Sequence, residues 1–122
     1  MKISDSLLKK LPKVELHCHL DGCLRLETIL DLAQQQKVSL PSSNPADLKK
    51  ILSIGKKRGS LEEYIARFDI TLSVMQTPDA LKQIAYELIA DAASENIRYI
   101  EVRYSPISVS YTHLTLPTKR IV

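Results

Sequence analysis

The chain has 122 residues, of which 44% are hydrophobic and 25% charged, and its formal net charge is +3. These values suit one globular domain, or part of one, and argue against a disordered or collagen-like chain. A small, scattered positive charge argues against a nucleic-acid partner. No apolar run approaches the roughly 20 residues of a membrane helix, and residues 1–12 lack the apolar core of a secretory signal. We therefore expect a cytoplasmic protein without a membrane partner.

The two cysteines, Cys18 and Cys23, lie beside a histidine pair. Two cysteines cannot build a disulfide framework, so we expect reduced thiols.

A first strand is predicted over residues 14–20, after a polar lead-in. Side chains alternate between the two faces of a strand, so an apolar and a polar set separate. The apolar set is Val14, Leu16, Cys18 and Leu20, and the polar set is Glu15, His17 and His19. By this parity Cys18 is a small core residue and not a metal ligand.

Four helices are predicted to follow, over about 26–36, 45–54, 60–75 and 77–94. Ser60 and Glu63 form a capping box, while Thr77 caps the last helix with Pro78 at its first position. The last helix carries a predicted buried stripe, which is Leu81, Ile84, Ala85, Leu88, Ile89 and Ala92. Asn96 is predicted to end this helix, and residues 55–59 to form a solvated turn.

A second strand is predicted over residues 97–104, with Ile100 and Val102 on one face. Tyr99, Glu101 and Arg103 fall on the other face, where Glu101 and Arg103 are expected to form an inward ion pair. Strand, helices and strand make a crossover unit of a parallel sheet. In both strands the aliphatic side chains lie on one face and the charged side chains on the other. This pattern is typical of a barrel whose aliphatic outer face packs on helices and whose inner face holds ionisable groups.

His17 and His19 project from one face of the predicted strand, roughly 7 Å apart along it, so both rings can lean toward one ion. Zinc accepts imidazole nitrogen readily, but a catalytic site usually needs three protein ligands and a water. Asp21 and Gly22 follow at the carboxyl end, where parallel barrels keep their sites. The alternative is two surface or core histidines without a metal.

The segments LPKVELHCHLDG, LRLETILDLA, SLEEYIARFD and YIEVRYSP resemble the opening of the adenosine deaminase family, in the metal-dependent amidohydrolase superfamily. The resemblance covers about residues 11–106. It implies an α/β fold, namely the N-terminal portion of a TIM (β/α)8 barrel with about two βα units. It also implies one Zn²⁺ per complete barrel, with His17 and His19 as metal ligands.

Substrate contacts are implied by the same resemblance. Asp21 would contact the ribose of a purine nucleoside, although a carboxylate that caps the turn at Gly22 is the alternative. A possible substrate-lining stripe, for which a core role is the alternative, is Leu61, Tyr64, Ile65 and Phe68. The catalytic acid and the remaining ligands would lie in later strands, so no catalytic residue is assigned within this chain and the fragment itself is expected to be inactive.

The implied activity is zinc-dependent hydrolysis of adenosine or deoxyadenosine to inosine or deoxyinosine and ammonia. Asp21 favours a nucleoside, because relatives that act on free adenine tend to carry Glu there. Alternatives are an adenine, AMP or modified-purine deaminase, or a remnant that binds a purine or a partner without chemistry. The H-x-E and P-C-x-x-C signature of cytidine-type deaminases is absent.

Residues 109–122 resemble a translated sequencing adapter of the transposase type, in which GTC TCT TAT ACA CAT CTG ACG CTG CCG ACG encodes residues 109–118. We therefore expect residues 1–108 to be the barrel portion and residues 109–122 a non-native tail. Tyr111 and His113 would then carry no function. The alternative is a natural short strand with a turn at Pro117.

Overall fold

The computed structural model describes residues 2–53 and 60–109. In these ranges the elements are α1 Asp5–Lys10, β1 Lys13–His19, α2 Leu26–Gln36, α3 Pro45–Leu52, α4 Leu61–Ser73, α5 Pro78–Ser94, β2 Ile97–Arg103 and α6 Pro106–Val109. A 3-10 turn, Leu20–Gly22, follows β1. The predicted turn over 55–59 lies outside the described residues, as does the predicted tail apart from Val109, which is buried. None of the helices in the described part is long and apolar enough to cross a bilayer.

Strands β1 and β2 pair in parallel, as predicted for a crossover unit. Their register contains two irregularities. The first lies between Lys13 and Val14, and at the second Glu15 lies beside Ile100 while Cys18 lies beside Val102. Three steps along β1 therefore match two along β2, as in a bulge. The unbroken alternation predicted for β1 is wrong here, and Glu15 no longer shares a strict parity with His17.

Burial along β1 differs between the two ends of the strand. Val14 and Leu16 are 61% and 56% exposed, whereas Leu20 is buried. Helix α5 packs against β2 and against the turn after β1, so it covers the carboxyl end of β1 and leaves Val14 and Leu16 exposed. The helix packing predicted for the outer face of a complete barrel is therefore present in this chain only at the carboxyl end of β1.

The core lies between the helices and the carboxyl ends of the strands. Its buried hydrophobic residues are Leu20, Ile29, Leu32, Ala33, Leu48, Val74, Met75, Ala80, Ile84, Leu88 and Val109. Cys18 and Ile100 pack against this core as partly buried residues, which confirms the core position predicted for Cys18.

The buried stripe of α5 is narrower than predicted. Ile84, Leu88 and Ala92 are buried, but Ile89 is 50% exposed and Ala85 is exposed as well. A helix that packs through a single row of residues four apart turns its flanking apolar positions to the surface.

Side-chain caps confirm most helix starts. Ser60 Oγ accepts a hydrogen bond from the Glu63 amide at 3.2 Å, and Thr77 Oγ1 accepts one from the Ala80 amide at 3.2 Å. Helix α4 ends at Ser73, two residues before the predicted end, and the chain then buries Val74 and Met75.

Asn96 ends α5, as predicted, in a left-handed conformation with φ of 60°. Its side-chain amide donates to the Lys10 carbonyl at 2.6 Å, and its own carbonyl accepts from the Lys13 amide at 3.0 Å. These bonds join the starts of both strands. Helix α1 was not predicted: it buries no residue, and its signals are the Ser4 cap and the terminal Lys9 and Lys10.

Candidate metal and substrate site

The two imidazoles of β1 converge at the carboxyl end of the strand. His17 Nε2 and His19 Nε2 lie 2.9 Å apart, and the ring planes are tilted by 50°. Both side chains are exposed. The two ring nitrogens face each other within hydrogen-bond distance, and the tautomers decide which one donates and which one accepts.

This convergence fits a zinc ion. Two nitrogens that each lie about 2.0–2.1 Å from one ion are separated by roughly 3.0–3.4 Å at common coordination angles. The observed 2.9 Å is close to the lower end of that range. Within residues 2–53 and 60–109, no third His, Cys, Asp or Glu completes a metal cluster. The described residues therefore bring two imidazole nitrogens together without a complete metal cluster.

Glu15 acts on the backbone of this site. Its Oε1 accepts a hydrogen bond from the His17 amide at 2.9 Å, next to the register irregularity of β1. The bond satisfies an amide at the bulge and restrains the peptide that carries His17. The alternation of side chains along β1 predicted no role for Glu15. A bulge arises from pairing with another strand, and alternation along one strand does not report it.

Asp21 carries a buried oxygen without a partner. Its side chain is 14% exposed, and Oδ1 has no hydrogen bond within the described residues. His19 Nδ1 lies 3.8 Å from this oxygen, which is too long for a hydrogen bond. A buried carboxylate oxygen without a partner costs free energy, so its presence points to a ligand or water that supplies a donor.

A cavity of about 190 Å³ lies beside Asp21. Its lining residues are Asp21, Gly22, Leu24, Ile29, Leu52, Tyr64, Arg67, Phe68 and Thr71. The structure thus brings Asp21 together with two of the four predicted lining residues, Tyr64 and Phe68, whose rings meet edge to face at 5.4 Å. The other two, Leu61 and Ile65, are 71% and 54% exposed and lie outside this lining.

Arg67 and Thr71 in the lining were not predicted. They follow Tyr64 and Phe68 at three-residue spacing on α4. The predicted substrate-lining stripe contained only aliphatic and aromatic residues, so it did not include them. Arg67 is half-buried, and no acidic partner lies within ion-pair distance in the described part of the chain. It adds a positive charge to a wall that also contains the Asp21 carboxylate and the Thr71 hydroxyl.

Gly22 closes the cavity at the turn. A Cβ atom placed there would lie 3.6 Å from Phe68 Cε1 and 3.8 Å from His19 Cβ, which is ordinary contact. Its φ is not positive, so the backbone conformation of this turn does not require a glycine.

The inward side of β2 is polar, as predicted. Arg103 Nη2 lies 3.9 Å from Glu101 Oε2, and Tyr99 donates to Glu101 Oε1 at 2.9 Å. The predicted ion pair is present, with both side chains about half exposed.

The Adenosine deaminase family model matches residues 12–122. The chain belongs to the adenosine deaminase family. It is 52% identical over 99 residues to an adenosine deaminase from Clostridium botulinum, a match that covers 81% of this chain and 30% of that relative. The chain therefore spans about 30% of the length of the curated relatives it matches.

Two solved structures share its fold. An N6-mAMP deaminase from Arabidopsis superposes with a TM-score of 0.64 at 33% identity, over 83% of this chain and 29% of the other. A zinc-bound amidohydrolase from Burkholderia ambifaria superposes with a TM-score of 0.67 at 28% identity, over 89% and 29%. These matches confirm the predicted fold class, the N-terminal portion of an amidohydrolase barrel.

Proposed function

We propose that the complete protein hydrolyses adenosine or deoxyadenosine to inosine or deoxyinosine and ammonia. The observation that carries the proposal is the approach of His17 Nε2 and His19 Nε2 to 2.9 Å at the carboxyl end of β1. In a parallel barrel this edge is where reactive groups collect. Membership of the adenosine deaminase family supplies the reaction class.

His17 and His19 would hold a zinc ion through Nε2, and the ion would activate water as the nucleophile at neutral pH. Glu15 would position His17 through its backbone amide.

Asp21 would accept a hydrogen bond from a ribose hydroxyl through its unpartnered Oδ1. Tyr64 and Phe68 would cover the purine, with Leu61 and Ile65 at the outer end of the same helix. Burial of the base against aromatic rings excludes water from the reacting carbon and adds apolar contact.

The proposed deamination also requires further zinc ligands and a proton donor. The family resemblance assigns these groups to barrel strands that follow β2. The described residues contain two imidazoles and one carboxylate at this edge, so the 122-residue chain alone is expected to be inactive. The free thiols of Cys18 and Cys23 support a reducing, cytoplasmic location.

A chimera tests the proposal. Residues 12–108 of this chain would replace the matching segment of the Clostridium botulinum adenosine deaminase, to which the chain is 52% identical. We expect a folded, zinc-containing protein that releases ammonia from adenosine faster than from AMP or adenine. A folded chimera that binds zinc and lacks activity on all three would overturn the proposed function, and one without zinc would indicate a non-catalytic remnant.

A second candidate is a deaminase of a purine nucleotide. Arg67 favours it, because a guanidinium in the cavity wall suits a phosphate group. The Arabidopsis relative is an N6-mAMP deaminase. A preference of the chimera for AMP or N6-methyl-AMP, lost in Arg67→Met, would select this candidate.

A further inference from the structure

The two thiols lie together on the core side of the candidate metal site. Cys18 Sγ and Cys23 Sγ are 3.3 Å apart, and both residues are partly buried. The turn Leu20–Gly22 brings them together, and its closing bond runs from the Cys23 amide to the Leu20 carbonyl at 3.2 Å. The pair is therefore held by local backbone structure.

We propose that Cys18 and Cys23 are a modification site, which forms a reversible intramolecular disulfide bond when the chain meets a two-electron thiol oxidant. With an oxidant of the diazene class, the two S–H bonds break and one S–S bond forms. The two electrons and two protons pass to the N=N bond, which becomes a hydrazine. A dithiol reductant reverses the change.

The geometry favours this bond over one between two chains. The two sulfurs of one chain already lie 3.3 Å apart and need approach only to about 2.05 Å, whereas a sulfur of a second chain must first reach a partly buried thiol. No other cysteine exists in the chain to compete for either sulfur.

Burial makes the reaction slow. Desolvation raises the pKa of Cys23 to about 12, and the hydrogen bond and charge of Cys18, followed by the charges of Asp21 and Glu15, act in the same direction. A protonated thiol is a poor nucleophile, so the pair should stay reduced until a strong oxidant is present.

The ring closed by the bond would contain His19 and Asp21, which belong to the candidate site. Oxidation would thus restrain the turn between a proposed metal ligand and a proposed substrate contact. The bond itself does not depend on the proposed deaminase activity, because it rests on the two sulfur positions alone.

The test uses the dilute, full 122-residue chain with diamide as the oxidant, in native buffer and in denaturant. Free thiols are then trapped with maleimide in denaturant. Trypsin cuts after Lys13 and Arg25, so both cysteines fall in one peptide, and mass spectrometry separates an internal bond from a link between two chains. Cys18→Ser and Cys23→Ser are matched controls that cannot form the internal bond.

We expect the native chain to lose two hydrogens, to take up no maleimide, and to form the bond with an effective thiol concentration at least about tenfold above that in denaturant. The proposal would be overturned if the effective thiol concentrations in native buffer and in denaturant were about equal. Uptake of two maleimides per chain, or disulfide bonds mainly between chains, would overturn it as well.

Discussion

His17 Nε2 and His19 Nε2 lie 2.9 Å apart, although the two residues are separated by a residue whose side chain packs into the core. The strand places both rings at one edge, and the Glu15 carboxylate holds the His17 amide at 2.9 Å. Under the proposed zinc role, the two nitrogens already lie close enough together to bind one ion. Such preorganisation reduces the entropy lost when a ligand binds.

His17→Ala and His19→Ala should each remove zinc from the chimera. Substitution of a residue that hydrogen-bonds to a metal ligand commonly lowers metal affinity about 10–100-fold. Substitution of a ligand itself should therefore lower the affinity at least about 100-fold. Cys18→Ala is the matched control, because it lies between the histidines and packs away from them. Metal analysis after dialysis measures the effect, and full zinc retention in both histidine variants would contradict the assignment.

Asp21→Asn should lower activity without lowering stability. The change keeps the shape of the side chain but removes the charge of a buried carboxylate whose Oδ1 has no partner. A hydrogen bond to a charged group contributes about 1.5–3 kcal/mol, so kcat/KM for adenosine should fall roughly 10–150-fold. Thermal unfolding should show an unchanged or higher Tm. Unchanged kinetics would favour the alternative of a carboxylate that only shapes the turn.

The 122-residue chain should self-associate through the first half of β1. Val14 and Leu16 are more than half exposed on a strand of a two-stranded sheet. Exposed apolar side chains on an open sheet edge promote pairing between chains. The double variant Val14→Lys and Leu16→Lys should shift light scattering toward monomer, whereas Leu61→Lys, on the exposed surface of α4, should have less effect. A monodisperse wild-type monomer with cooperative thermal unfolding would contradict this prediction.

The ion pair between Arg25 and Asp91 should make stability depend on acid pH. Arg25 Nε and Nη2 contact the two Asp91 carboxylate oxygens at 3.0 and 2.5 Å. The guanidinium lowers the pKa of Asp91 in the folded state, so the pair stabilises above the unfolded pKa of about 3.8, and this contribution is lost as pH falls through the folded-state pKa. Asp91 in turn raises the pKa of Arg25, and that contribution is lost only as pH rises through the folded-state pKa of Arg25, far into the alkaline range.

Asp91→Asn in the chimera should therefore be slightly less stable than the parent at pH 7 and equally stable at strongly acidic pH. Both side chains are exposed, so the difference should be small and should shrink in high salt. Denaturant unfolding across pH measures it. Asp47→Asn, which removes a longer surface pair with Lys50 at 3.8 Å, is the control. A difference that persists at strongly acidic pH would contradict the role of the pair.

The amino-acid sequence by itself determined helices α2–α5 and the fold class. Local signals define these features: Ser60 and Thr77 cap the starts of α4 and α5, and Asn96 ends α5 in a left-handed conformation. The i, i+2 spacing of His17 and His19 likewise needs only strand geometry to bring the rings to one face. Helix α1 was missed because it is only six residues long and buries no side chain.

Only the tertiary structure decided which of these residues meet. The bulge at Glu15 depends on pairing with β2, some 85 residues later, and no local pattern reports it. Arg67 and Thr71 join Asp21 at one cavity because α4 packs against the turn after β1. The exposure of Val14, Leu16 and Ile89 likewise depends on which helix covers which part of the sheet. Period and capping are properties of neighbouring residues, whereas register and cavity lining arise from contacts between segments far apart in the chain.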